Sequence, residues 1–483
     1  MSCVNPLLHT DVYKMGHMEQ YAPGTTRIYS NIVTRSARKY PAVLNFGTQY
    51  YLSEYLSKPI TKAHVDEFLD LNNRILSSTS NEVYTKLRAL EKLGFVPLII
   101  KALPEGNVYP IGTPLLTATN HPDYPEFAWT VGFYESLLLK IWNTCTVATF
   151  SRKLKQLCYL YADLTCDSNL HVDYQVHDFG YRGCSSEETA AISGMSHLVN
   201  FLGTDTVLAV KYAKDYYYAT DPIGLSVPAS EHSVMCSFGP TNEIDAFRHM
   251  LKTYPTGIVS IVCDTYNIWK VLSEFVPLLK DEILARNGKV VFRPDSGDQE
   301  KILCGNPDAS DPLEKKGVFQ LLFEQFGEFP NKKGYRTLHP KVGVVYGDGF
   351  YYDKFHTVFN RMKTDKISSA ELTVGVGGIL LQQHNRDDMG FSMKATYIEQ
   401  NGNGVNIFKD PITDPGKKSL KGLLSVTQEP YHGGYTWKTN QEITWEQEKR
   451  GALQVVFNRG KLLNQTTFDE IRKRADSSIV KRY

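Results

Sequence analysis

The run His177-Asp178-Phe179-Gly180-Tyr181-Arg182-Gly183 packs an aromatic ring, a guanidinium and two glycines into one turn. Cys184-Ser185-Ser186-Glu187-Glu188 follows, and Ser185 with Glu188 has capping-box spacing, which predicts a helix opening at Ser185. The first turn of a helix offers free N–H groups and a positive dipole end, both suited to an anion. Arg182 adds a fork matched to phosphate oxygens. Phe179 adds a flat apolar face. This chemistry fits a site that holds a phosphorylated group beside a planar ring. The same residues equally describe a tight strand-to-helix turn with a surface arginine.

Other stretches carry compatible chemistry. In Arg293-Pro294-Asp295-Ser296-Gly297 the proline fixes a turn and the glycine lets backbone approach a ligand. Arg293 can grip phosphate and Asp295 can accept from sugar hydroxyls; a surface salt bridge is the plain alternative. Gly347-Asp348-Gly349 and Gly375-Val376-Gly377-Gly378 can present backbone N–H groups to phosphate, although glycines also end strands for steric reasons. Neither has the Gly-Lys-Ser/Thr ending of a P-loop. His232 sits in a loop after Pro228, between Glu231 and Ser233, where it is an acid–base or nucleophile candidate or a structural histidine. Asp205, in Gly203-Thr204-Asp205-Thr206, reads as a turn or cap aspartate until its context is known.

The elements that must position these residues alternate. Ile258–Val262, Val290–Phe292, Val342–Val345 and Leu372–Val374 are short apolar runs, each closed by polar or glycine-rich turns. Ile268, Val271, Leu272, Phe275, Leu279 and Ile283 form a helical stripe, with Pro277 predicting a kink or break. Strand–helix alternation from about 172 to 390 predicts a parallel α/β sheet or barrel, whose active sites lie at strand C-termini. The flanks mix strands, helices and turns, and a last helix is predicted from Thr467, with Glu470 three residues on. Pro411–Gly422 reads as a basic, solvated loop.

The whole chain sets bounds. Its 483 residues suffice for two domains. A net charge of +1 gives no field that would argue for nucleic acid or an anionic membrane. The eight cysteines have no C-x-x-C spacing, so reduced thiols in a cytoplasmic setting are expected. Residues 1–18 lack the basic and apolar regions of a signal peptide, and no apolar run approaches the ~20 residues of a membrane span.

Taken together the motifs resemble the nicotinamide phosphoribosyltransferase family. The resemblance is carried by His177–Glu188, His197–Phe201, Gly203–Val207, Ser226–Ala229 with Glu231–Ser233, Arg293–Gly297, Gly347–Gly349, Gly377-Gly378, Asn406–Pro411 and Phe468–Lys473. It starts at Thr10–Lys14 and runs nearly to the C-terminus. It implies a type II phosphoribosyltransferase fold: an irregular α/β barrel, residues 146–394, plus an α+β domain built from both chain ends, residues 1–145 with 395–483. It also implies transfer of phosphoribose from phosphoribosyl pyrophosphate to nicotinamide, with Mg2+, with ATP as co-substrate, and in a cytoplasmic homodimer with shared sites.

By position, Phe179 would stack one face of the nicotinamide ring and Tyr13 of a second subunit the other. Asp205 would accept from the carboxamide. Arg182 and Arg293 would grip phosphate and pyrophosphate. Asp295 and Asp264 would hold ribose hydroxyls. Gly347, Asp348, Gly378 and Arg386 would line the phosphate pocket, with Asp11 also among the substrate-binding positions. His232 matches the histidine that ATP phosphorylates, with Glu231 orienting its ring or stabilising its charged form. Two other readings stand beside this: a nicotinate phosphoribosyltransferase, which Asp205 disfavours because it would repel a carboxylate, and a non-catalytic binding or signalling protein on the same scaffold.

Overall fold

A computed structural model describes residues 4–77, 79–347, 349–431 and 434–479. The backbone divides into two compact units. One comprises Met1–Thr149, Tyr212–Thr220 and His384–Ser478; the other comprises Phe150–Lys211, Asp221–Gln383 and Ile479–Tyr483. Among the described residues no helix is long and apolar enough to cross a membrane, and seven cysteines are free.

The second unit is built on parallel strands: β1 (Val176–Asp178), β2 (Gly203–Thr204), β3 (Thr256–Val262), β4 (Asn287–Arg293), β5 (Val342–Tyr346) and β6 (Leu372–Val376). Their spatial order is β2-β1-β6-β5-β4-β3. The register pairs Asp178 with Val376, Tyr346 with Val374, Val344 with Phe292 and Val262 with Arg293. The C-terminal ends, which carry the polar turns, therefore lie side by side. β-Branched residues fill the interior: Val259, Ile261, Val290, Val342, Val374 and Val376 are buried.

The two outer strands of this sheet are linked by an irregular stave. Thr204 donates its N–H to Leu225 O (3.0 Å), and Leu225 donates to Leu202 O (2.7 Å). At the other end Ser260 donates to Pro228 O and Ser230 to Ser260 O, both 2.9 Å. Residues 225–230 so span β2 to β3 and complete an irregular barrel. Pro228, with no N–H, fits here because regular pairing has already lapsed.

Two helix details differ from the sequence reading. The cap of the Glu187–Leu198 helix is Ser186, whose hydroxyl accepts from Thr189 N; Ser185 instead donates to Gln382 Oε1 at 3.1 Å. Ser186 has the extended backbone (φ −154°) that a cap residue needs. The kink expected at Pro277 is a wide helical turn over Val271–Phe275, which puts the proline in the first turn of Val276–Ala285, where its missing N–H costs nothing.

In the first unit the strand Thr25–Val33 pairs antiparallel with both Pro114–Asn120 and Ser392–Gln400, so early and late chain share one seven-stranded sheet. The last helix, Phe468–Ser477, opens on the Thr467–Glu470 capping box. Glu105, fully buried, accepts from Gly47 N (2.7 Å), Gln49 N (2.8 Å) and the Tyr217 hydroxyl (2.9 Å); burial raises its pKa. This carboxylate ties the Tyr212–Thr220 segment to the start of the Thr48–Tyr51 helix.

Candidate active site

At the C-terminal end of β1 and β6 the backbone is held by pairing. Phe179 donates its N–H to Val376 O at 2.9 Å. The Phe179 ring lies directly on Gly375: a Cβ there would fall 2.1 Å from two ring carbons. Only glycine at that point of β6 leaves the ring this position. His177, one turn of the pleat earlier, packs in the same way on Gly203, where a Cβ would meet its ring at 2.0 Å. Burial lowers the pKa of His177, opposed by the charge of Asp205.

Asp205 is exposed and follows β2 directly. Its N–H donates to Asp178 O at 2.9 Å, and its carboxylate accepts from the Ser226 hydroxyl on the 225–230 stave. The stave therefore carries a contact to Asp205 that the sequence reading missed, since a serine in a Pro-containing loop gave no signal. Ser260 was missed because a lone serine in the apolar run of β3 reads as part of the strand; its hydroxyl is buried without a hydrogen-bond partner.

Two cavities within this unit meet at Phe179, Asp205 and Arg293. One, about 460 Å³, runs between the stave and β3, β4 and β5, with Val227, Ala229 and Val291 among its walls. The other, about 670 Å³, opens over Arg182, Gly183, His232, Asp295, Gly347 and Gly378. The first suits a flat, largely apolar group. The second is ringed by two arginines, two glycine turns and acceptors, and suits a phosphorylated sugar.

The glycine turns are packed against one another. A Cβ on Gly183 would sit 2.8 Å from Gly378 Cα, and one on Gly347 would sit 2.0 Å from Asp295 Oδ1. Arg182 projects from the exposed turn Tyr181–Gly183, while Tyr181 donates to the Glu187 carboxylate at 2.7 Å. Arg293 closes β4, and its Nε is buried with no hydrogen-bond partner.

Asp264 organises the acidic side. One carboxylate oxygen, Oδ2, accepts from Asp295 N (2.8 Å), Ser296 N (2.8 Å) and Ser296 Oγ (2.6 Å), which locks the Pro294–Ser296 turn. The other, Oδ1, is buried and has no hydrogen-bond partner. His232 faces it: Nε2 is 3.8 Å from Asp264 Oδ1 and 3.6 Å from Asp295 Oδ2, and Nδ1 is 3.2 Å from Thr265 Oγ1.

Two expectations about His232 are corrected. It opens the helix His232–Cys236 rather than lying in a loop, and Glu231 does not orient its ring. The Glu231 carboxylate accepts from the Ser233 hydroxyl, and the ring is flanked by Thr265, Asp264 and Asp295 instead. Sequence neighbours in the first turn of a helix project in different directions, whereas Asp264 and Asp295 arrive from the ends of β3 and β4.

Phe179, Arg182, Asp205, His232, Asp264, Arg293, Asp295, Gly347 and Gly378 are thus all carried by the second unit. Tyr13, Asp11 and Arg386 belong to the first. Tyr13 is 60% exposed and flanked by Lys14 and His17; Asp11 accepts from Ser136; Arg386 pairs with Asp387 at 3.3 Å. Asp348 lies outside the described residues.

Comparison with known proteins gives this arrangement a family. Residues 174–461 match the nicotinate phosphoribosyltransferase family, and residues 5–89 match the nicotinamide phosphoribosyltransferase N-terminal domain. The chain is 40% identical to the nicotinamide phosphoribosyltransferase of Acinetobacter baylyi, covering 98% of this chain and 97% of that one. It is 34% identical to the one from Xanthomonas campestris, covering 98% of each. In fold it is similar to nicotinate-nucleotide pyrophosphorylase from Pyrococcus furiosus (TM-score 0.58, 13% identity, 97% and 93% covered). It is also similar to human nicotinic acid phosphoribosyltransferase (TM-score 0.54, 15% identity, 97% and 93% covered). With the barrel, its glycine turns and 34–40% identity to such relatives over 98% of the chain in hand, this chain is placed among the type II phosphoribosyltransferase enzymes, as a member of the nicotinamide phosphoribosyltransferase family.

Proposed function

We propose that the protein joins nicotinamide to phosphoribosyl pyrophosphate, giving nicotinamide mononucleotide and pyrophosphate. The observation that carries this reading is the meeting of an acidic acceptor, Asp205, a flat ring, Phe179, and a cation, Arg293, where the apolar and polar cavities join. Phe179 presents a ring face for the pyridine, and Asp205 accepts from its carboxamide. Arg182, Arg293 and the N–H group of Gly378 take the phosphates, while Gly347, whose N–H donates to Pro294 O at 3.1 Å, leaves room beside them. The pyridine nitrogen attacks the anomeric carbon as the bond to pyrophosphate breaks, so no enzyme nucleophile is required for that step. Positive charge grows on the ribose beside Asp295 and Asp264, and negative charge on the leaving group beside the arginines.

Mg2+ belongs to this proposal. Among the described residues no three ligating side chains converge. Mg2+ typically keeps several waters and takes one or two carboxylates plus substrate phosphates, which fits Asp295 and the Asp264 Oδ1 that accepts no hydrogen bond. When bound it would offset charge on the pyrophosphate.

His232 extends the proposal to ATP. Its half-exposed ring, beside two carboxylates and at the polar cavity, is placed to take the γ-phosphate of ATP as ADP leaves. The active species is proposed to be a homodimer in which Tyr13 of a second subunit covers the free face of the pyridine; its exposed ring supports this. Resolving products from nicotinamide and nicotinate side by side, with and without ATP, tests the reading. Nicotinamide should be preferred, and Asp205→Asn should collapse the preference. A site built to bind a substrate N–H discriminates by up to roughly 10⁴–10⁵. An unchanged ratio in that variant would remove Asp205 as the selector, and preference for nicotinate in the unaltered protein would overturn the substrate assignment.

A further inference from the structure

Phe179 and Asp205 stand on different segments, and one residue touches the backbone of both. Asp178 is fully buried at the end of β1. Its Oδ1 accepts from Gly180 N at 2.8 Å, on the far side of Phe179. Its Oδ2 accepts from the Thr204 hydroxyl at 3.1 Å, and that hydroxyl accepts from Thr206 N at 3.0 Å. Its carbonyl accepts from Asp205 N at 2.9 Å. The residues on either side of Asp205 and the two ends of the Phe179 turn are therefore referred to a single buried side chain. Gly194 leaves room for it, since a Cβ there would come 3.1 Å from Oδ2.

We propose that Asp178 is a positioning residue for ring recognition, fixing the Phe179 face and the Asp205 acceptor at one mutual distance through Gly180 and Thr204. It touches no substrate. This rests on the reading that Phe179 and Asp205 hold the pyridine. Burial raises the Asp178 pKa, opposed by the hydrogen bonds from Gly180 and Thr204. The role is one of geometry, so a neutral amide of the same shape serves: an asparagine oxygen accepts from Gly180, and its amide donates to the Thr204 oxygen.

The test uses the full-length protein with Asp178→Ala, Asp178→Asn and Thr204→Val, each assayed with nicotinamide, nicotinate and phosphoribosyl pyrophosphate varied in turn. Phe179→Ala and Asp205→Asn run alongside. Asp178→Ala and Thr204→Val should raise KM for nicotinamide about tenfold or more and lower the nicotinamide-to-nicotinate ratio, leaving KM for phosphoribosyl pyrophosphate within about twofold. Asp178→Asn should stay within about threefold of the unaltered protein. A purely structural role would lower melting temperature without moving the ratio, and that result overturns the proposal. So does an equal rise in both KM values, or no rescue by asparagine. If Asp178→Ala does not fold, Thr204→Val decides by the same readout. If Phe179→Ala and Asp205→Asn leave nicotinamide binding unchanged, the ring-site reading fails first and takes this one with it. If they impair it while Thr204→Val does not, only the role of Asp178 falls.

Discussion

Gly375→Ala gives a sharp test of how the ring site is built. The added methyl would lie 2.1 Å from Phe179 Cδ2 and Cε2. Carbon–carbon contacts are comfortable near 3.5–4.0 Å, so the ring must retreat by about 1.5 Å. The Phe179 backbone cannot follow easily, because its N–H is bonded to Val376 O and β1 pairs with β6 on either side of Gly375. The side chain therefore swings off its rotamer and its stacking face tilts away. Stacking on an aromatic is worth roughly 1–3 kcal/mol, which at about 1.4 kcal/mol per tenfold is a rise in nicotinamide KM of about 5- to 140-fold. Initial rates with each substrate varied, read by chromatography of the mononucleotide, measure it. KM for phosphoribosyl pyrophosphate should hold within about twofold, because the Gly377–Gly378 turn is untouched. In a Phe179→Ala background the added methyl meets no ring, so Gly375→Ala should then cost nothing further. A nicotinamide KM within twofold of the unaltered protein, or full additivity of the two changes, would refute the idea that the ring is seated on this glycine.

Two further outcomes are expected. His232→Ala should abolish ATP hydrolysis and ATP stimulation together while leaving some ATP-independent synthesis; ATP stimulation that survives the change returns His232 to a structural role. Tyr13→Ala and Arg293→Ala should each be impaired alone, yet verified hybrid dimers of the two should regain activity from one intact site, and failure of such hybrids would count against a shared site.

Much of the barrel is legible in the sequence because four of its strands are β-branched runs ended by turns, and Ile258–Val262, Val290–Phe292, Val342–Val345 and Leu372–Val374 all fall inside observed strands. The 225–230 stave is not legible. It contains Pro228 and polar residues, and only its long-range hydrogen bonds make it part of the wall. The chemical residues announce themselves by type, but their partners do not. Glu231 is next to His232 in sequence, yet Asp264 and Asp295 are next to it in space. The one-residue shift of the helix cap from Ser185 to Ser186 is a choice between adjacent serines that only backbone geometry makes. The seat of Phe179 on Gly375 belongs to strand register, which no local pattern reports.

The interior strand Thr25–Val33 of the first unit has one neighbour, Pro114–Asn120, that follows soon after it, and another, Ser392–Gln400, that is separated from it by most of the chain. On a ribosome adding about 5–20 residues per second, the second neighbour arrives roughly 20–70 s after the first strand has left the tunnel. Throughout that interval one edge of Thr25–Val33 has open N–H and C=O groups and a run of apolar side chains, the conditions that favour wrong pairing between chains. All six strands β1–β6, by contrast, are complete before residue 392 is made. The catalytic barrel is thus the part of the nascent chain that can finish first, and the unit that begins the sequence is the last to close. Synthesis that ended between residues 377 and 391 would release a chain with all six barrel strands and an exposed sheet edge, so the burden on chaperones falls on the N-terminal strand rather than on the chemistry.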